Sequence, residues 1–176
     1  SNWIKKKAER GYHAITRPPS VGGLGLSRAH QRAYGRLERE YVSPGRHELI
    51  GVTAGLIAST VEAMGSDVLK DRFLADLLRT DILACQLFSE PGAGSDVAAI
   101  RTTARKDGDD YVIDGSKMWI TNSTQADFLC LLANTSDDKA HFNKSLIIVP
   151  TRTPGVSFSP RLDKLGMRSS DTAQVF

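Results

Sequence analysis

A chain of 176 residues with 40% hydrophobic content fits one medium domain or two small ones, and it has enough apolar material to bury a core, which excludes a disordered protein. Its formal charge of +3 gives no electrostatic reason to expect nucleic acid or an anionic membrane as a partner. No apolar run approaches the roughly 20 residues that span a bilayer.

The first residues, Ser1-Asn2-Trp3-Ile4-Lys5-Lys6-Lys7, are basic but lead into no apolar core, so they do not read as a secretory signal, and the missing initiator Met suggests a processed chain or a piece of a longer one. Ser27 is placed to cap a helix from Arg28 to about Tyr41, rich in charge and poor in apolar residues. Ser43-Pro44 reads as an N-cap with Pro at the first helical position. The helix after it, His47 to Met64, carries Leu49, Ile50, Val52, Leu56, Ile57, Val61 and Met64, with Gly51, Ala54, Gly55 and Ala58 between them. A helix apolar on most sides is expected to be buried on most sides. Its small residues either leave room for a ligand chain or serve close helix packing. Gly65 closes this helix and Ser66 caps the next, whose stripe is Leu69, Phe73, Leu74, Leu77 and Leu78.

Near Asp81 the pattern turns to β. Short runs cover 82–88, 101–106, 110–113, 117–121, 128–133, 146–149, 156–159 and 174–176, and Asp107-Gly108 and Asp114-Gly115 read as hairpin turns. Such runs predict a small antiparallel barrel or sandwich. The fold class is therefore α+β: a helical segment over 1–80, then a small antiparallel β-barrel domain over 81–176 that looks incomplete, because the last run has no following strand to pair it. Cys85 and Cys130 sit in apolar runs as ordinary buried thiols, with no disulfide expected and a reducing compartment implied. The sequons at Asn122, Asn134 and Asn143 read as accidents without a signal peptide, and the four scattered His residues lack metal-ligand spacing, so no metal is expected.

Two segments carry chemistry. In Pro91-Gly92-Ala93-Gly94-Ser95-Asp96 the glycines allow a sharp turn with positive φ, whose consecutive N–H groups make an anion-binding concavity; Ser95 adds a hydroxyl donor, and Asp96 is placed to cap the next turn. The segment contains neither a Walker loop nor G-x-G-x-x-G. Trp119 and Thr121, two apart on a predicted strand, are expected on one face. Donors and hydroxyls on one side and an indole on the other supply what a flavin needs.

The pair, in this order, resembles the acyl-CoA dehydrogenase family. Segment 86–96 resembles its flavin-contacting loop and Trp119-Ile120-Thr121-Asn122 its second flavin motif; Gly22-Gly23-Leu24-Gly25-Leu26-Ser27 resembles its early glycine turn, and 164–172 a loop late in its middle domain. The resemblance implies an FAD enzyme that takes a proton from Cα and a hydride from Cβ of an acyl-CoA thioester, giving the trans-2-enoyl-CoA. It implies cofactor contacts at Gln86, Phe88, Ser89, Ser95, Trp119, Ile120 and Thr121, and substrate contacts at Ser95 and Asn143. Ser89 stands where the family commonly has Thr. Helix 47–64 would help line the acyl pocket.

The same resemblance implies an electron-transferring flavoprotein as acceptor, a homotetramer, a place in fatty acid β-oxidation, and a mitochondrial matrix or bacterial cytoplasm. The family's opening helix and C-terminal four-helix domain lie outside what the chain resembles. No catalytic residue is nominated: Glu38, Glu40, Glu48 and Glu62 read as solvated helix faces, and the base is expected downstream of Phe176. The chain alone is expected to be inactive. The alternatives are a non-catalytic flavin- or acyl-CoA-binding remnant and an acyl-CoA oxidase.

Overall fold

The computed structural model describes residues 2–42 and 48–176. The chain divides into two compact units, Ser1–Ile82 and Leu83–Phe176. The Ser43-Pro44 cap and His47 lie outside the described residues.

The first unit is helical. It opens with α1, Asn2–Glu9, near Trp3, where the resemblance sets the start of a helix, and continues with α2, Arg28–Glu38. Ser27 stands at the N-cap of α2 in extended backbone, but its hydroxyl pairs with His30 Nδ1 at 2.9 Å instead of a backbone N–H, so the expected side-chain cap does not form. Helix α3 covers 48–64 and α4 covers 67–79, each with an inner stretch of wider π-helical bonding, Gly51–Ile57 and Lys70–Leu74. Ser66 does cap α4, accepting from the Leu69 N–H at 3.4 Å. Thr80, in the left-handed region at φ 58°, ends it.

The core of this unit is built from the stripe the sequence marked. Phe73, Leu74, Leu77 and Leu78 of α4 are buried, as are Ile57, Ala58 and Val61 of α3 and Ala14 and Ile15 of the preceding loop. Helix α3, however, buries one face and not most of its surface: Leu56 is 50% and Met64 76% exposed. Among the described residues, a Cβ added at Gly51 or Gly55 would meet nothing within 4 Å, so no close helix packing is made there at these glycines. Glu38 is no plain solvated residue either, since it accepts from Lys7 Nζ at 2.9 Å and from Trp3 Nε1 at 3.2 Å. Glu62 pairs with Arg17 at 2.8 Å.

The second unit is mostly β: β1 Ala84–Leu87, β2 Thr103–Asp107, β3 Asp110–Asp114, β4 Lys117–Thr121, β5 Phe128–Asn134, β6 Lys144–Pro150 and β7 Thr172–Val175. Five strands form one sheet in the order β1-β5-β2-β3 with β6 also on β5, while β4 and β7 make a separate antiparallel pair. The expected antiparallel barrel is thereby corrected. The sheet is mixed, with β1 parallel to β5 and β2 joining β5 in parallel, and it is not closed. Its open side leaves an apolar cavity of about 290 Å³ against Leu87, Ile113, Leu131, Val149, Val156 and Val175. The core holds Cys85, Leu87, Ala104, Ile120, Leu129, Leu131, Ala133, Val149 and Val175.

The two Asp-Gly signals part company. Asp107 and Asp110 pair across a two-residue turn in which Gly108 takes φ +59°, the hairpin expected there. After Asp114-Gly115 the chain leaves the sheet, and β4 pairs with β7 and not with β3. Gly115 serves a close approach: a Cβ there would lie 2.5 Å from Thr102 Oγ1. The last strand is paired after all, by β4 on one side and by 157–159 on the other, where Ser157 and Phe176 exchange backbone bonds of 3.0 and 2.9 Å. Segment 156–159 forms only an isolated bridge, Phe158 to Val175, and not the strand the pattern predicted.

Candidate functional site

Strand β1 delivers Gln86 and Leu87 to the sheet and hands the chain to Phe88 and Ser89 at its end. There it meets β4. The Met118 N–H donates to the Ser89 carbonyl at 2.9 Å, and the Lys117 ammonium donates to the Phe88 carbonyl at 3.0 Å. The two sequence segments are thus neighbours, joined through backbone.

Beyond Ser89 a tight turn closes on itself: the Glu90 N–H donates to Ala93 O at 2.7 Å and the Ala93 N–H to Glu90 O at 3.2 Å. Neither Gly92 nor Gly94 takes a positive φ, which corrects the expectation for this loop; the reciprocal bonds make the turn instead. Among the described residues the N–H groups of Gly92, Gly94 and Ser95 and the Ser95 hydroxyl have no hydrogen-bond partner, and all three residues are exposed. Asp96 precedes the short turn Val97–Ala99 but its side chain does not cap it.

Trp119 is the distinctive residue of β4. It lies at φ +63°, a conformation a bulky residue rarely adopts, where the β4–β7 register slips between Lys117 and Ile120. The irregularity breaks strict alternation. Lys117 and Ile120 are buried and the indole is 61% exposed, so Trp119 and Thr121 are not related by simple strand periodicity. The Ile120 side chain belongs to the core at 2% exposure, and its carbonyl accepts from Ser123 Oγ at 2.9 Å. Thr121 is half-buried and its register partner is Thr172.

A buried polar network underlies this junction. Glu90 accepts from Thr102 Oγ1 at 2.6 Å, the Arg101 N–H at 2.7 Å, the Thr102 N–H at 2.9 Å and Lys117 Nζ at 2.9 Å. Burial opposes its charge, but the hydrogen bonds from Thr102, Arg101 and Lys117 outweigh burial and hold the carboxyl down at about 2. Burial draws the Lys117 ammonium below its ordinary value, against the hydrogen bond and charge of Glu90. Because Glu90 is held ionised, we read the two as an ion pair.

A second anchor follows β4. Asp171 accepts from Thr124 Oγ1 at 2.6 Å, the Thr124 N–H at 2.9 Å and Gln125 Nε2 at 2.8 Å. These bonds outweigh burial and lower its pKa. Asn122, fully buried at φ +69°, has neither amide atom paired. Glu90, Lys117 and Asp171 escaped the pattern reading. The signal for Glu90 and Lys117 was present, as charged residues inside the two motifs where a strand would be buried.

Asn143 lies elsewhere. It lines a polar cavity of about 610 Å³ with Thr103, Arg105, Lys106 and 134–138, none of them a predicted site residue. Its Oδ1 accepts from Lys144 Nζ at 2.9 Å. Among the described residues no cluster of His, Cys, Asp or Glu is disposed to hold a metal. No described helix is long and apolar enough to cross a membrane. Cys85 and Cys130 are buried free thiols; burial pushes Cys130 to about 11 and Cys85 higher.

An exposed indole on β4, joined through Met118 and Ser89 to a segment that goes on to unpartnered donors, has the chemistry to suit a planar, largely apolar ring with polar edges. The comparisons give the family. The family model for the acyl-CoA dehydrogenase N-terminal domain matches residues 1–81, and that for the acyl-CoA dehydrogenase middle domain matches residues 85–176. The chain belongs to the acyl-CoA dehydrogenase family.

It is 35% identical over 173 residues to the mitochondrial short-chain specific acyl-CoA dehydrogenase of Rattus norvegicus, covering 98% of this chain and 42% of that protein. An acyl-CoA dehydrogenase from Geobacillus kaustophilus superposes with TM-score 0.82 at 31% identity, over 99% of this chain and 46% of that one. A glutaryl-CoA dehydrogenase from Mycobacterium smegmatis, solved with FADH2, superposes with TM-score 0.76 at 30% identity, over 99% and 43%. The chain therefore spans less than half the length of these relatives.

Proposed function

We propose that the intact protein containing this chain is an FAD-dependent acyl-CoA dehydrogenase that converts an acyl-CoA thioester to the trans-2-enoyl-CoA. The observation that carries the reading is the Ser89–Met118 backbone bond at 2.9 Å with the Trp119 indole exposed beside it. When bound, FAD supplies the hydride acceptor.

The residues of this chain bind and orient. Backbone groups at Gln86, Phe88 and Ile120 and the Ser89 hydroxyl meet the polar edge of the ring. Trp119 covers one side and keeps water out, which strengthens charge interactions in the site. The Thr121 hydroxyl bonds near the atom that accepts hydride. Ser95 and its unpartnered neighbours take cofactor and substrate oxygens, and Asn143 takes part of the CoA.

The α-proton goes to a carboxylate outside residues 1–176. Glu90 is unsuited to that role because its low pKa and its four donors fix it as an anion. The reading carries with it an electron-transferring flavoprotein as acceptor, a homo-oligomer, and a mitochondrial matrix or bacterial cytoplasm; a role in β-oxidation of fatty acids follows.

The test is optical. The intact protein should purify yellow and bleach when given a suitable acyl-CoA without oxygen. A colourless protein indifferent to FAD rejects the proposal. Residues 1–176 alone should bind flavin weakly and turn nothing over.

A further inference from the structure

The side chains of Lys117 and Glu90 are 2% and 7% exposed. A buried ion pair is weak evidence of stabilisation, because a well-packed apolar pair of the same volume often serves a fold as well or better. Stability alone therefore does not account for it. Its placement does. Both partners of the Lys117 ammonium, the Phe88 carbonyl at 3.0 Å and Glu90 Oε1 at 2.9 Å, belong to the segment that opens the first motif, and Lys117 stands two residues before Trp119 in the second. Glu90 in turn ties that segment to Arg101 and Thr102.

We propose that Glu90 and Lys117 are positioning residues with an electrostatic role: they fix the Phe88–Ser89 strip against β4, and their opposed charges set the reduction potential of the flavin seated there. The inference rests on the flavin reading above. Reduction by two electrons and one proton leaves one negative charge on the ring system. In a buried, low-dielectric setting a nearby fixed charge is felt strongly. The ammonium favours the reduced state and the carboxylate disfavours it, so each offsets the other while both are present. Removing one exposes the other. A pair that served packing alone would loosen the site in the same way whichever partner was lost.

The experiment is the midpoint potential of FAD bound to the intact protein, by dye equilibration, with the FAD dissociation constant measured alongside by flavin fluorescence. Glu90→Gln should shift the potential upward and Lys117→Gln downward, with Lys117→Arg close to the parent. Shifts in the same direction, or none, overturn the inference. If Lys117→Gln does not fold, Glu90→Gln decides it, since Gln keeps an acceptor toward Thr102 and Lys117; an upward shift supports the inference and a downward or absent one ends it. A parent protein that binds FAD and bleaches while the variants keep its potential sinks this inference alone. A parent that binds no FAD removes the flavin reading and this inference together.

Discussion

The helical and β units handle polarity in opposite ways. In the helical unit charges pair at the surface or partly buried beneath it: Arg17 with Glu62 at 2.8 Å, Lys7 with Glu38 at 2.9 Å, and Arg79 with Asp76 and Asp81. Among the described residues that unit buries few polar groups: Thr53 and the two ring nitrogens of His13. In the β unit Glu90, Thr102, Lys117, Asn122, Ser123, Ser170, Asp171 and Thr172 are all buried. Apolar periodicity suffices to build the first unit. The second adds a polar interior, and that interior lies under the two segments proposed to hold flavin. Buried polar groups are costly unless fully satisfied, so their concentration marks where geometry is being fixed.

The contrast is sharpened by substitutions, the largest effect first. Lys117→Met leaves Glu90 buried without its counter-ion and should cost about 3–5 kcal/mol in chemical denaturation of the intact protein. A loss below about 1 kcal/mol would place the pair with the surface bridges. Gly115→Ala sets a methyl against Thr102, the residue that donates twice to Glu90, and should cost about 1–3 kcal/mol by overpacking. An unchanged melting temperature would mean the approach relaxes freely.

Acid titration reads the same network through its sign. Glu90 has a folded pKa of about 2, below its ordinary value of 4.5, so its contribution is present above about 4.5 and is lost as the pH falls toward 2. Glu90→Gln should flatten stability across that window, and a variant whose acid unfolding keeps the parent's slope would contradict this. The smallest effect belongs to the helical unit. Arg17→Ala breaks a half-exposed pair and should cost about 0.2–1 kcal/mol, less in high salt. A loss of several kcal/mol there would erase the distinction between the units.

Legibility followed the same division. The stripe Leu69, Phe73, Leu74, Leu77 and Leu78 was readable because helical periodicity and burial are one signal: the last four are buried, and Leu69, in the first turn, is half-buried. Hairpin chemistry was readable at Gly108, where local turn preference and strand pairing agree. It misled at Gly115, where tertiary contact with Thr102 decides the backbone and β4 finds its partner in distant β7. The barrel was expected and the sheet stays open, because turn spacing says nothing of which edges meet. Within the candidate site, the adjacency of the segments containing Ser89 and Trp119 was legible as two motifs. Their physical link through Lys117, Phe88 and Glu90 was not, because burying a charge on a strand depends on partners 27 and 29 residues away. The positive φ of Trp119 was equally hidden, since it follows from the register slip against β7 and not from its neighbours in sequence.

The most direct measurement follows Trp119 itself. In the intact apoprotein, indole emission should fall saturably as FAD is added, and Trp119→Phe should shrink that quenching by the share of this contact indole. Emission that ignores FAD, or quenching of the same amplitude in Trp119→Phe as in the parent, would contradict a flavin seated between the residue 88–96 loop and β4.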